Sequence, residues 1–149
     1  MPVVPITAMR KWLMARLKAD FTLMRLVSGA IYYNRVPRIN GRYPCVLIAY
    51  QGLSPNGAGA TAVVPSGRVV GALLFIAQGV VREGDTSTAE AIAASLERLL
   101  GGATGDTEDY RIEGIRQSEP IEIPETDNEI DYERLGAIYA ISLTTKIGA

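Results

Sequence analysis

The sequence contains no histidine and a single cysteine, Cys45. The missing histidine removes the commonest general base and the commonest neutral metal ligand. Ser-His-Asp and Cys-His catalytic arrangements are therefore excluded. With one cysteine and no histidine, so is a structural zinc site. One cysteine also forbids an intrachain disulfide, which is compatible with a reducing compartment. Cys45 opens the apolar run Cys45-Val46-Leu47-Ile48, where a thiol is expected as buried packing rather than as a nucleophile.

Long apolar runs are also missing. The longest, Val69 to Ala77, falls far short of the roughly 18 residues a spanning helix needs. The start, Met1-Pro2-Val3-Val4-Pro5, has no basic region ahead of an apolar one. It does not read as a signal peptide, so the chain is expected to act without secretion. No G-x-x-x-x-G-K-[ST] loop is present. Gly57-Ala58-Gly59-Ala60-Thr61-Ala62 loosely matches G-x-G-x-x-A, but a dinucleotide site needs that turn to open a helix. Val63-Val64-Pro65-Ser66-Gly67 follows instead. The acidic stretch Glu125 to Asp131 lacks the glycine turn and terminal bidentate glutamate of a calcium loop. No catalytic residue, cofactor or metal is thus expected. Spacing alone leaves one catalytic rival open, a small hydrolase using two carboxylates that meet in the fold.

What the chain does have is 149 residues, 48% of them hydrophobic and 21% charged, a composition that suits one soluble globular domain. The net charge of −1 conceals a separation. Residues 1–42 carry eight basic side chains against one acid, Asp20, for a net +7. Residues 83–133 carry fifteen acids against Arg98, Arg111 and Arg116, for a net −12. Two readings fit. The clusters are solvated faces, or they make a polar subunit that pairs head to tail with its copies. The basic segment also raises a nucleic-acid-binding module as a rival, against which the acidic half argues.

The periodicity predicts an amphipathic helix over Thr7–Ala19, with Ile6, Met9, Leu13 and Leu17 on its apolar stripe. That stripe suits a protein core better than a membrane surface. Asp20 reads as the N-cap of a shorter helix, Phe21–Val27, stopped by Gly29. Strands are expected at Ala30–Asn34, Pro44–Gln51 and Arg68–Val80. The stretch Leu53–Gly67, rich in Gly, Ala and Pro, is expected as a loop or arm. Ser87-Thr88-Ala89-Glu90 reads as a capping box opening a helix to Leu100. Tyr110–Gln117 and Ile121–Ile123 read as two outer strands, Glu125–Asp131 as an acidic loop, and Arg134–Ile147 as a final alternating strand. The expected fold is a single α+β domain. Its mixed, mainly antiparallel sheet has five to six strands, with N-terminal helices and one central helix packed on it. So few helices leave part of the sheet for a neighbouring subunit to cover.

The chain resembles the tail-completion or tail-terminator proteins of tailed bacteriophages. The resemblance runs from Leu26-Val27-Ser28-Gly29 and Ile31-Tyr32 through Val36-Pro37 and Pro44-Cys45-Val46-Leu47-Ile48. It returns in Ala91-Ile92, Leu99-Leu100 and Leu135-Gly136 to Tyr139. It implies a virion protein assembled in the host cytoplasm. Its ring, usually a hexamer, sits on the head-proximal end of the tail tube, ends tube polymerisation and offers the head a joining surface. The implied partners are other copies, the tube protein and a head-completion or adaptor protein. DNA passes only in transit through the lumen. A head-closure or head–tail adaptor protein of the neck is the alternative. The expected subunit contacts set Arg35, Arg38 and Arg42 against Glu122, Glu125, Asp127, Glu129 and Asp131 of the next copy. Leu53, Asn56, Val63 and Val64 are expected as arm contacts.

Overall fold

In a computed structural model, residues 5–53, 62–63, 69–127 and 129–146 are described. The chain begins with α1 (Pro5–Lys18) and α2 (Phe21–Val27), followed by β1 (Ile31–Tyr33), β2 (Cys45–Leu53), β3 (Ala62–Val63) and β4 (Val69–Arg82). Then come α3 (Thr86–Leu100), β5 (Gly105–Asp106), β6 (Tyr110–Asp127) and β7 (Ile130–Thr145). The sheet order is β1-β2-β4-β7-β6-β5, with β3 paired to β4. Among the described residues, only β1 and β2 run parallel. The other pairs are antiparallel, so the α+β expectation holds.

Each helix forms for a local reason. α1 begins on Pro5, whose fixed φ suits a first helical position. It buries Ala8, Met9, Leu13 and Leu17, while Ile6 stays 36% exposed. α2 is capped by Asp20, whose carboxylate accepts from the Leu23 N–H at 2.9 Å. α3 starts earlier than the capping box suggested. Its N-cap is Asp85, and the Thr88 hydroxyl donates to Asp85 Oδ1 at 2.7 Å. Ser87 lies inside the helix, because the turn Arg82–Asp85 closes first through Asp85 N–H to Arg82 C=O.

The three helices lie on one face of the sheet. Ile92, Leu96 and Leu100 of α3 are buried with Phe75 of β4, Tyr139 and Ile141 of β7, and Leu13 and Leu17 of α1. Gly79 permits the close approach, since a Cβ there would come within 2.7 Å of Ile92. The other face is partly covered within the subunit. The segment after β1 folds across it, bringing Val36, Pro37 and Tyr43 into one groove with Val80. Beyond that cover, Leu74, Ile76 and Ile138 are half-buried. The part of the sheet left for a partner is therefore smaller than the helix count implied.

The end of the chain differs most from expectation. β6 is one continuous strand, with irregularities at Ile112/Gly114 and Gln117/Glu119. The expected acidic loop is the tip of a tight β6–β7 hairpin, with Thr126 paired to Asp131 and Asp127 to Ile130. Glu129 takes a positive φ of 66° in the turn, and the Thr126 hydroxyl donates to Asp131 Oδ1 at 2.5 Å. β7 consequently starts at Ile130, four residues before the expected Arg134.

Candidate assembly surfaces

Arg35, Arg38, Glu125 and Asp127 line one groove of about 750 Å³ with Ile39, Tyr43, Tyr132 and Arg134. Residues expected to meet across a subunit boundary thus line the same groove of one chain, with no ion pair between them among the described residues. The β1–β2 connection supplies the arginines, and the β6–β7 hairpin supplies the acids. Tyr43 and Tyr132 stack at the floor, with ring centroids 4.6 Å apart. Burial pushes the Tyr43 hydroxyl up to about 12, helped by Tyr132, Cys45 and Asp127. Arg134 forms an ion pair with Glu125, although its Nε–H lacks the alignment of a hydrogen bond.

Arg42 is held within its own chain. Its backbone N–H donates to the Tyr32 hydroxyl and its guanidinium donates to the Ser28 carbonyl, both at 3.0 Å. It ties the β1–β2 connection to the end of α2 while remaining exposed. Glu122 lies on the opposite face of the hairpin from Glu125. There it lines a cleft of about 280 Å³ with Thr86, Glu90, Ile123, Pro124, Glu133, Arg134 and Leu135. Glu129 and Asp131 are exposed at the hairpin tip. Asn56 and Val64 lie outside the described residues, as does most of the expected arm. Leu53 ends β2, and Val63 pairs with Val69.

Four ion pairs form among the described residues: Arg98–Asp20, Arg111–Asp106, Arg134–Glu125 and Lys146–Asp106. None of them uses a basic residue of the 1–42 segment. Arg10, Arg16 and Arg25 instead lie over the rings of Tyr33, Trp12 and Phe21 at 5.3, 5.3 and 5.6 Å. The two charge blocks are therefore not used up against each other inside the subunit.

The chemistry is correspondingly thin. Cys45 is fully buried, and burial pushes its thiol up to about 12 against a smaller opposing effect of Arg134. A neutral thiol is not a nucleophile. Glu83 is held above the usual carboxylate range by its hydrogen bond to Asp131, by that group's charge and by Glu133. This carboxyl pair is exposed and so lacks the water-excluding pocket a hydrolase would need. Among the described residues, no group of three or more Cys, Asp or Glu side chains is placed to hold a metal ion. No described helix is long and apolar enough to cross a membrane.

Comparison with solved structures gives the fold a relative. The chain shares its fold with a chain from the virion of a native gene transfer agent (GTA) particle. The TM-score is 0.66 at 18% identity, covering 96% of this chain and 99% of that one. A second solved chain, which carries no functional name, aligns with a TM-score of 0.50 at 15% identity over 97% of this chain and 94% of its own. No protein-family model matches the sequence, and no curated protein matches it. The alignment covers nearly all of both chains, so the likeness is one of the whole described fold and not of a single motif. Phe21 and the Glu90–Glu122 cleft were missed in the sequence. Phe21 reads there as one more apolar helix residue, and the cleft joins residues far apart in the chain.

Proposed function

We propose that this protein is a structural virion component that acts by self-assembly, as a tail terminator. Copies form a ring, taken as hexameric, on the head-proximal end of a tail tube. The ring ends tube polymerisation and presents a joining surface to a head-completion or adaptor protein, with DNA passing through its lumen. The observation that carries this reading is the fold shared end to end with a chain of a GTA virion. The unspent charge blocks support it, because opposite charges left unpaired in one subunit can set the orientation of the next. Individual rim ion pairs contribute only about 0–1 kcal/mol, so apolar contact must supply most of the affinity. The 53–67 segment is assigned to a neighbour or to the tube, through Leu53, Asn56, Val63 and Val64.

Co-sedimentation tests the role. Purified protein is mixed separately with tail tubes and with DNA-filled heads. Retention by tubes, with tube growth stopped, is the expected result. Retention by heads alone would replace the terminator role with that of a head-closure or adaptor protein.

A further inference from the structure

We infer that the head-to-tail contact between copies is made by a knob at Phe21 entering the cleft at Glu90 and Glu122 of the next copy. This contact rests on the self-assembly reading and gives it a location.

The knob is an aromatic side chain held out by a rigid base. Phe21 is 74% exposed on the first turn of α2. Asp20 fixes that turn by capping Leu23 N–H and by pairing with Arg98 at 2.8 Å. The Arg25 guanidinium lies over the ring at 5.6 Å, and Lys18 is exposed three residues earlier. Asp20 is already neutralised by Arg98, so the charge displayed around the ring is positive. Aromatic side chains, phenylalanine among them, and arginine are enriched at the cores of protein interfaces.

The cleft has the complementary character. Its apolar lining is Ile123, Pro124 and Leu135, and it carries Glu90, Glu122 and Glu133 together with Arg134. Arg134 is already paired with Glu125, so the three acids leave the cleft net negative. Ile123 is left 47% exposed. Acid crowding beside the cleft already raises the Glu83 carboxyl through Asp131 and Glu133, so an incoming cation would relieve repulsion. A cavity of about 150 Å³ is enough for a benzene-sized ring. The cleft, at about 280 Å³, holds a phenyl group and the end of one charged side chain.

Knob and cleft cannot meet within one chain. The knob is fixed beside Arg98 near the end of α3, whereas the cleft is lined by Thr86 and Glu90 at its start. That separation is roughly 12–18 Å along the helix axis. Two different surfaces at opposite ends of one element make a heterologous contact, the kind that forms a ring when the rotation between copies closes.

The test is cysteine trapping in the full chain. Thr22→Cys beside the knob and Glu90→Cys on the cleft rim are combined, and the protein is oxidised at high concentration. The buried Cys45 does not compete. The double variant is expected to give a ladder of dimers, trimers and larger species, while each single variant gives none beyond dimers. Adding Phe21→Glu should abolish the ladder without lowering the melting temperature, since an acid suits a helix start. Arg25→Glu should weaken the ladder and Glu122→Lys should restore it. No ladder above the single variants, or a ladder indifferent to Phe21→Glu, overturns the contact. So does duplex DNA binding that depends on Lys18 and Arg25 in the absence of a ladder. A ring seen in particles without the ladder removes only this contact. A ladder without a ring in particles removes only the proposed role.

Discussion

Gly79 of β4 lies directly beneath Ile92 of α3, so close that a Cβ at position 79 would sit 2.7 Å from Ile92 Cγ2 and 2.9 Å from Cβ. Ile92 is fully buried and branched, and it cannot swing aside. Gly79→Ala should therefore destabilise the fold by about 1–3 kcal/mol, read as a lower urea midpoint. Ile92→Ala made together with Gly79→Ala should cost less than the sum of the two changes, because removing Cγ2 and Cδ1 relieves part of the clash that Gly79→Ala creates, while the contact with the retained Cβ remains.

Asp20 joins two elements through one carboxylate. It caps α2 and takes both guanidinium nitrogens of Arg98, at 3.2 and 2.8 Å. The Arg98 hydrogen bond, then the Leu23 N–H, hold its carboxyl below the usual range. A depressed folded-state pKa gives stability that is present above the unfolded value of about 3.9 and is lost as pH falls through the folded value. Asp20→Ala should cost about 1 kcal/mol at neutral pH, mainly through the cap. Thermal melts should show this loss shrinking below about pH 4.

The Cys45 thiol should stay silent in the native protein. Burial raises it to about 12, so a thiol reagent at pH 8 should react only on unfolding. Modification should follow the denaturant transition. Fast labelling of folded protein would show that the core around β2 is open.

The edge of β6 is protected in a way the sequence disguised. Glu83 N–H bonds to the Asp131 carbonyl, so the odd residues at the start of β7 turn toward β4 and the even ones toward β6. Through the register of Ile123 with Arg134 and Ile121 with Gly136, Pro120 and Pro124 fall where backbone nitrogens point away from β7. Each proline removes an outward donor from the free edge. Pro120→Thr with Pro124→Thr should leave the melting temperature nearly unchanged and raise light scattering on prolonged incubation. Unchanged scattering would mean that the edge is guarded by something else.

Those prolines also explain where the sequence misled. Read along the chain, Pro120 and Pro124 divide β6 into a strand and a fragment. In the sheet they occupy positions that need no donor, and the irregularity at Gln117/Glu119 restores the alternation. Glu125 to Asp131 read as an acidic loop because hairpin pairing depends on register. Asp20, the α1 stripe, β2 and the alternation of Leu135 to Leu143 were legible because each is a local pattern. The assembly surfaces were legible only as charge blocks. That Arg35 and Arg38 share a groove with Glu125 and Asp127, and that Glu122 turns to the other face, follows from the β6–β7 pairing. No single segment shows it.

The central claim is that contacts between copies are the function. Imaging of assembled particles by electron cryomicroscopy, with this chain carrying a small density tag, tests it most directly. A closed ring of tagged copies at the head-proximal end of the tail is the predicted result. Tagged density elsewhere in the particle, or one unrepeated copy per particle, would contradict it.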